Sequence, residues 1–156
     1  MNFYTTTTFR ESLASLTKKT KDGYMSVVKD VCETLMNMPD NILRDTNDRV
    51  YQYPEYRIVK LRLVNSGQNL SKSNGFRLIY YVSMLHDSVV LMRIYPKRGS
   101  QAAVDLVNAE YTRLQMEVFN ESKSHGLHQV DITNGLAELS QACCLPGDNT
   151  VEVIGD

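Results

Sequence analysis

The chain has 156 residues, of which 42% are hydrophobic and 22% charged, values typical of one globular domain and not of a disordered or fibrous protein. Its net charge of −1 argues at first sight against a nucleic-acid partner. The charges are nevertheless unevenly placed, because residues 56–98 hold eight Lys and Arg against one Asp, whereas residues 99–156 hold two against nine acidic residues. This segregation indicates an anionic partner for the middle of the chain and an acidic C-terminal part.

Several classes of protein are excluded at this stage. The apolar runs are far shorter than the ~20 residues that cross a bilayer, so we expect no membrane partner. The first residues lack the cationic and apolar regions of a signal peptide. Three cysteines, Cys32, Cys143 and Cys144, are too few for a disulfide framework. We therefore expect a cytoplasmic protein.

The elements follow in chain order from hydrophobic periodicity. Residues 2–7 are aromatic and β-branched and predict a strand. Phe9, Leu13 and Leu16 share one helical face, and a second amphipathic helix follows over residues 24–38 until Pro39 stops it. Beyond these elements we predict a polar connection at 39–55, strands at 56–64, 76–84 and 89–95, a helix from Ala102, and a short helix at 136–143.

This order, β-α-α-β-β-β-α, predicts an α+β fold. We expect a small antiparallel sheet, with the N-terminal helical hairpin packed on one face and a C-terminal helix. Residues 1–121 would form this domain, and residues 122–156 an acidic extension that is partly helical or disordered. The extension is either a solvated tail or a segment that folds over a basic surface and competes with nucleic acid.

Alternation along the predicted strands places most of the cations on one side of the sheet. We expect the other side to meet the helices through Val59, Leu61 and Leu63, through the alternate residues from Phe76 to Val82, and through Val90, Met92 and Ile94. The cationic side would carry Lys60, Arg62, Arg77, Arg93 and Tyr95, with Lys97 and Arg98 beyond the last strand and Lys72 in a loop. A sheet face with almost no carboxylates suits a phosphate backbone, although RNA, DNA and an acidic protein would all fit it.

Three segments in this region resemble toxins of bacterial toxin–antitoxin modules. They are Tyr56-Arg57-Ile58-Val59-Lys60-Leu61-Arg62, Ser71-Lys72-Ser73-Asn74-Gly75-Phe76-Arg77-Leu78-Ile79-Tyr80-Tyr81 and Val89-Val90-Leu91-Met92-Arg93-Ile94-Tyr95-Pro96-Lys97-Arg98. Their order and spacing are similar to the core of RelE/HigB-type toxins, of the RelE/ParE superfamily, over residues 3–118. The HigB-like branch is the nearest in pattern.

The resemblance implies a metal-independent endoribonuclease that cleaves mRNA, typically on the ribosome, and that a partner antitoxin neutralises. In such enzymes the ribose 2′-hydroxyl attacks the adjacent phosphate. By motif position, we expect Lys60 to act as the base, Arg77 and Arg62 to stabilise the transition-state charge, and Arg98 or Tyr95 to lie near the leaving group. RNA-binding roles fall to Lys72, Arg93 and Lys97.

Two departures from the family pattern support an alternative. RelE has a second lysine where this chain has Ile58, and its tyrosine early in the last helix has no counterpart in Ala102-Ala103-Val104. Tyr111 lies too far along to replace it. The alternative is a non-catalytic member of the same fold that binds a protein, either a ParE-like gyrase poison or an inert homologue.

No cofactor or metal is expected. The segment from Gly67 to Lys72-Ser73 lacks the glycines of a phosphate-binding loop, and a strand follows it where such a loop needs a helix. His125 and His128 with the adjacent cysteines Cys143 and Cys144 lack the spacing of a zinc site.

Overall fold

The computed structural model describes residues 1–18 and 23–134 of the chain, and within them it is a mixed α and β fold. The helices are α1 (Thr7–Thr17), α2 (Val27–Met36), α3 (Asp40–Arg44) and α4 (Asn108–Ser124). The strands are β1 (Asn2–Thr5), β2 (Arg49–Gln52), β3 (Tyr56–Leu63), β4 (Phe76–Ser83), β5 (Ser88–Pro96) and β6 (His128–Val130). None of the helices in these ranges is long and apolar enough to cross a membrane.

The six strands form one sheet in the order β2-β3-β4-β5-β1-β6. All neighbouring pairs are antiparallel except β1 and β5, which are parallel with Phe3 opposite Val89. A parallel pair needs a long crossover, and the chain from α1 to β4 supplies it. The predicted α+β class is confirmed, whereas the predicted small antiparallel sheet is found only in part, because the sheet has six strands and β1 is parallel to β5.

The first core lies between one face of the sheet and helices α1 and α2. Phe9, Leu13 and Leu16 of α1 are buried there, as the helical spacing predicts. They pack with alternate strand residues, among them Val59, Leu61, Leu63, Phe76, Leu78, Tyr80 and Val82. The N-terminal hairpin therefore covers this face.

The opposite face is also buried, over much of its area, because α4 packs on it. Tyr111, Leu114 and Val118 of α4 form a second core with sheet residues that include Ile58, Ile79, Tyr81, Val90, Met92 and Tyr95. Every residue of β4 is buried, as is typical of a central strand covered on both sides. The sheet thus has a layer on each face, and the cationic side has solvent access only where α4 does not cover it.

A β-bulge in β5 changes the face on which some of its residues lie, so the faces predicted for this strand need a correction. Ile79 pairs with Arg93 but Tyr80 pairs with Leu91, so Met92 is the extra residue. Val90 and Met92 consequently belong to the second core, whereas Ile94 belongs to the first. The expectation that these three share one face was wrong, because simple alternation fails across a bulge.

The observed elements differ from the predicted ones in three places. The polar connection at 39–55 contains α3 and the edge strand β2. The last helix begins at Asn108 and not at Ala102, since residues 102–107 have no regular structure. Strand β6 lies inside the predicted extension, and Leu127, Val130 and Ile132 are buried in the two cores. The helix predicted at 136–143 lies outside the described residues.

Candidate nucleic-acid interface

The register of β3, β4 and β5 brings most of the predicted cations into neighbouring cross-strand rows. Lys60, Ile79 and Arg93 form one row, and Arg62, Arg77 and Tyr95 form the next. Lys97 follows one step further, where its backbone N–H donates to the Gly75 carbonyl at 2.8 Å. We call Lys60, Arg62, Arg77, Arg93, Tyr95 and Lys97 the basic cluster.

A single carboxylate joins the two lysines of the basic cluster. The Oδ1 atom of Asp105 lies 3.3 Å from Nζ of Lys60 and 3.7 Å from Nζ of Lys97. The hydrogen bond from Lys60, followed by the charges of Lys60 and Lys97, lowers the pKa of Asp105. The two lysines therefore form a site that already holds an anionic oxygen.

Arg77 has a different setting from the other cations, because its side chain is buried. The residue is 5% exposed. Its Nη1 donates to the carbonyls of Lys72 and Phe76 at 2.8 and 3.1 Å, and its Nη2 donates to the Ser73 carbonyl at 3.0 Å. Burial, with a smaller effect of the Arg62 charge, lowers the pKa of the guanidinium. In this arrangement Arg77 holds the loop that carries Lys72.

Gly75 lies at the base of the same loop, and no other residue could replace it without a shift of the backbone. A Cβ atom on Gly75 would lie 2.0 Å from the Leu63 carbonyl oxygen. On the loop's other side, Nε of the exposed Arg98 donates to Oδ1 of Asn74 at 2.9 Å. Lys72 and Arg98 thus lie at one loop beside the basic cluster, while Tyr24 anchors the Arg98 carbonyl at 3.0 Å.

Tyr95 is 3% exposed, and its hydroxyl has no hydrogen-bond partner among the described residues. The guanidinium carbon of Arg93 lies 5.3 Å from the centre of its ring, and Nη1 of Arg93 also lies 3.2 Å from Oε2 of Glu110. Burial raises the pKa of Tyr95, and the charge of Asp105 raises it further. A buried donor without an acceptor is rare in native proteins.

A row of aromatic rings lies beside the basic cluster, and sequence reasoning missed it. Tyr111 contacts Tyr51 edge to face at 5.5 Å between ring centres, and Tyr53 stacks between Tyr51 and Tyr56 at 6.4 and 4.7 Å. Three tyrosines within six residues, at 51, 53 and 56, were the available signal. Asp105 was missed because its segment was predicted as part of a helix.

Comparison of the chain with family models, with curated proteins and with solved structures finds no match.

Proposed function

We propose that this chain is a RelE/HigB-like endoribonuclease whose basic cluster binds the RNA backbone and promotes attack by the ribose 2′-hydroxyl. The main support for this proposal is that one partly open face of the sheet carries Lys60, Lys97 and the row formed by Arg62, Arg77 and Tyr95. The resemblance of three strand segments to the toxin family supports it independently. The expected partners are mRNA on the ribosome and a neutralising antitoxin.

The proposed cleavage reaction is balanced and needs no metal or cofactor as a further reactant. The 2′-oxygen forms a bond to the adjacent phosphorus and loses its proton to Lys60, which must act in its uncharged amine form, while the bond to the 5′-oxygen breaks. The products are a 2′,3′-cyclic phosphate and a 5′-hydroxyl, whose proton comes from the Tyr95 hydroxyl or from water. Arg62 and Arg98, as permanently charged groups, stabilise the charge on the phosphorane.

In this proposal Arg77 is a positioning residue, because its guanidinium donates to three backbone carbonyls. It keeps the loop that carries Lys72 in place, next to Arg98. Replacing Arg77 with alanine would therefore disturb the loop as well as remove a charge. Lys60 is the better position for a test, since its side chain is partly exposed.

The test uses the full chain with an end-labelled single-stranded RNA, in EDTA, with the product ends mapped. We expect cleavage that leaves 2′,3′-cyclic phosphates, and we expect Lys60→Gln to lower its rate by about 100-fold, as for loss of a general base. Lys29→Gln on α2, which packs on the other face of the sheet, is the matched control and should cleave at the parental rate. Equal rates for the two variants would contradict the proposal.

Expression of the chain in bacteria tests whether the cleavage takes place on the ribosome. Growth arrest with mRNA cuts in phase with codons, absent from Lys60→Gln, would support cleavage on the ribosome. A substrate with a single 2′-deoxyribose at the cut position is the chemical control, since it lacks the attacking oxygen and should stay intact.

One observation favours the alternative of a non-catalytic member that binds a protein. Three cations of the basic cluster already have carboxylate partners, Lys60 and Lys97 at Asp105 and Arg93 at Glu110. Arrest of growth with DNA damage and intact mRNA would indicate a gyrase poison. Capture of a protein partner without arrest or cleavage would indicate an inert homologue.

A further inference from the structure

The segment before α4 crosses the basic cluster and is held there weakly. We call residues 102–107 the strap. Its start is tied by two backbone hydrogen bonds, from Ala102 to Gly99 and from Ala103 to Pro96, at 3.1 and 3.2 Å. In the described part of the chain, the N–H groups of residues 104–106 have no hydrogen-bond partner. Val104, at the middle of the strap, is 85% exposed.

The rest of the attachment comes from two packed side chains and one carboxylate. Ala103 and Leu106 are partly buried against the second core, to which Tyr95 belongs. Asp105 contacts Lys60 and Lys97 but is itself 65% exposed. Exposed ion pairs contribute little to stability, because water and salt screen them. Within residues 1–18 and 23–134, the strap therefore has no strong bond that would keep it in place against a competing anion.

Asp105 places one anionic oxygen within reach of both lysines of the basic cluster, and a phosphate oxygen could take the same place. Lys60 and Lys97 stand in the rows on either side of the row that contains Tyr95, and both reach one oxygen of Asp105. Among the residues that the structure describes, the Tyr95 hydroxyl is a buried donor that lacks an acceptor. A tetrahedral phosphate has more acceptor oxygens than a carboxylate, so it can take both ammonium groups and the phenol.

We propose that Lys60, Lys97 and Tyr95 form a phosphate-binding site that Asp105 occupies in the closed chain, and that a phosphate group binds by displacing the strap. This proposal deepens the proposed function, because a ribonuclease must hold a phosphate, and it rests on that function for its biological ligand. The site itself needs no cleavage activity. Its ligand class is a phosphate ester or anhydride, and Asp105 is its internal competitor.

Inorganic pyrophosphate is the probe for this site, and calorimetric titration of the full chain is the measurement. Asp105→Asn removes the competing charge and keeps the side-chain shape. Asp87→Asn is the matched control, because Asp87 is 63% exposed and pairs with Arg44 at the other end of β5. Each variant changes the net charge equally. We expect Asp105→Asn to bind pyrophosphate about fivefold more tightly than Asp87→Asn, as for removal of one screened competing charge.

Tyr95→Phe, made in the Asp105→Asn chain, tests the contribution of the phenol. Loss of one hydrogen bond to a charged ligand should weaken pyrophosphate binding by about tenfold. An unchanged affinity would remove Tyr95 from the site and overturn the proposal as stated. Equal binding by Asp105→Asn and Asp87→Asn, or no binding by either, would also overturn it.

A parallel titration with single-stranded RNA separates this proposal from the proposed function. Tighter RNA binding by Asp105→Asn than by Asp87→Asn would support both. If Asp105→Asn gains pyrophosphate affinity while no form of the chain binds or cleaves RNA, the endoribonuclease function fails and the phosphate site stands.

Discussion

Two buried tyrosines on neighbouring strands differ in whether their hydroxyl has a partner. Tyr80 on β4 donates to the Leu43 carbonyl at 2.9 Å, whereas the Tyr95 hydroxyl on β5 has no partner among the described residues. Removing a paired buried hydroxyl loses a hydrogen bond, while removing an unpaired one relieves a desolvation cost. We expect Tyr80→Phe to lower the free energy of unfolding by about 1 kcal/mol, and Tyr95→Phe to leave it unchanged or raise it by up to about 1 kcal/mol.

Urea denaturation of the two variants measures this difference, and each serves as the control for the other because the chemical change is the same. A Tyr95→Phe chain as destabilised as Tyr80→Phe would show that the Tyr95 hydroxyl has a partner in solution. The result bears on the phosphate site, since an idle buried donor is the reason to expect a ligand there.

At the scale of the elements, side chains of α4 fix the N-terminus of α1. Glu121 accepts from the backbone N–H and the hydroxyl of Thr7 at 2.9 and 2.5 Å, and Glu117 accepts from the same groups of Thr8 at 3.3 and 2.7 Å. Thr6 caps the next N–H, that of Phe9, at 3.1 Å. The orphan donors of the first turn are thereby satisfied, and the negative charges favour the positive end of the helix.

We expect Glu121→Ala to lower the free energy of unfolding by about 1–2 kcal/mol, as for loss of a helix cap with charge-assisted hydrogen bonds. Asn120→Ala, at an exposed position of the same helix, should change it by no more than about 0.5 kcal/mol. Thermal and urea denaturation give both values. Equal effects would mean that α1 does not depend on α4 for its first turn.

Apart from β1, which the aromatic and β-branched residues at the start of the chain predict, the elements that could be predicted from the sequence are those with long periodic patterns. Helix α1, helix α2 and strands β3 to β5 follow from spacing alone. Strand β6 has only three residues, and the bulge at Met92 leaves no mark in an alternating pattern. The basic cluster was predictable because alternation holds through Lys60, Arg62 and Arg77. The burial of Arg77 was not, because it depends on a loop folding back to its guanidinium.

At the scale of the whole molecule, the sheet is a middle layer with a core on each side. Because the cations lie on one face of the sheet, only the opposite face was predicted to be covered by helices. Ile79 and Tyr81, however, alternate with Arg77 on the cationic face, and these apolar side chains need a covering element as well. Helix α4 provides that cover over one part of the face and leaves the Lys60 and Lys97 part to the strap, under which both lysines are only partly exposed. The same element therefore builds the second core and sets the limits of the candidate site.

Residues 127–132 close both cores, and this leads to a test of where the folded unit ends. Strand β6 pairs with β1, and Leu127 is buried in the second core while Val130 and Ile132 are buried in the first. Burying each of these side chains contributes about 1.5–3 kcal/mol, so losing all three removes a sum comparable with the stability of a whole domain. We expect a chain ending at residue 126 to unfold at a much lower urea concentration than one ending at residue 134.

The chain ending at 134 is the proper control, because both truncations remove residues 135–156 and only the shorter one removes β6. It also gives a cleaner test of whether the acidic end competes for RNA than a deletion from residue 122 onward, which would take the buried residues of β6 with it. Equal urea midpoints for the two truncated chains would mean that β1 can serve as a sheet edge without β6, and that the folded unit ends with α4.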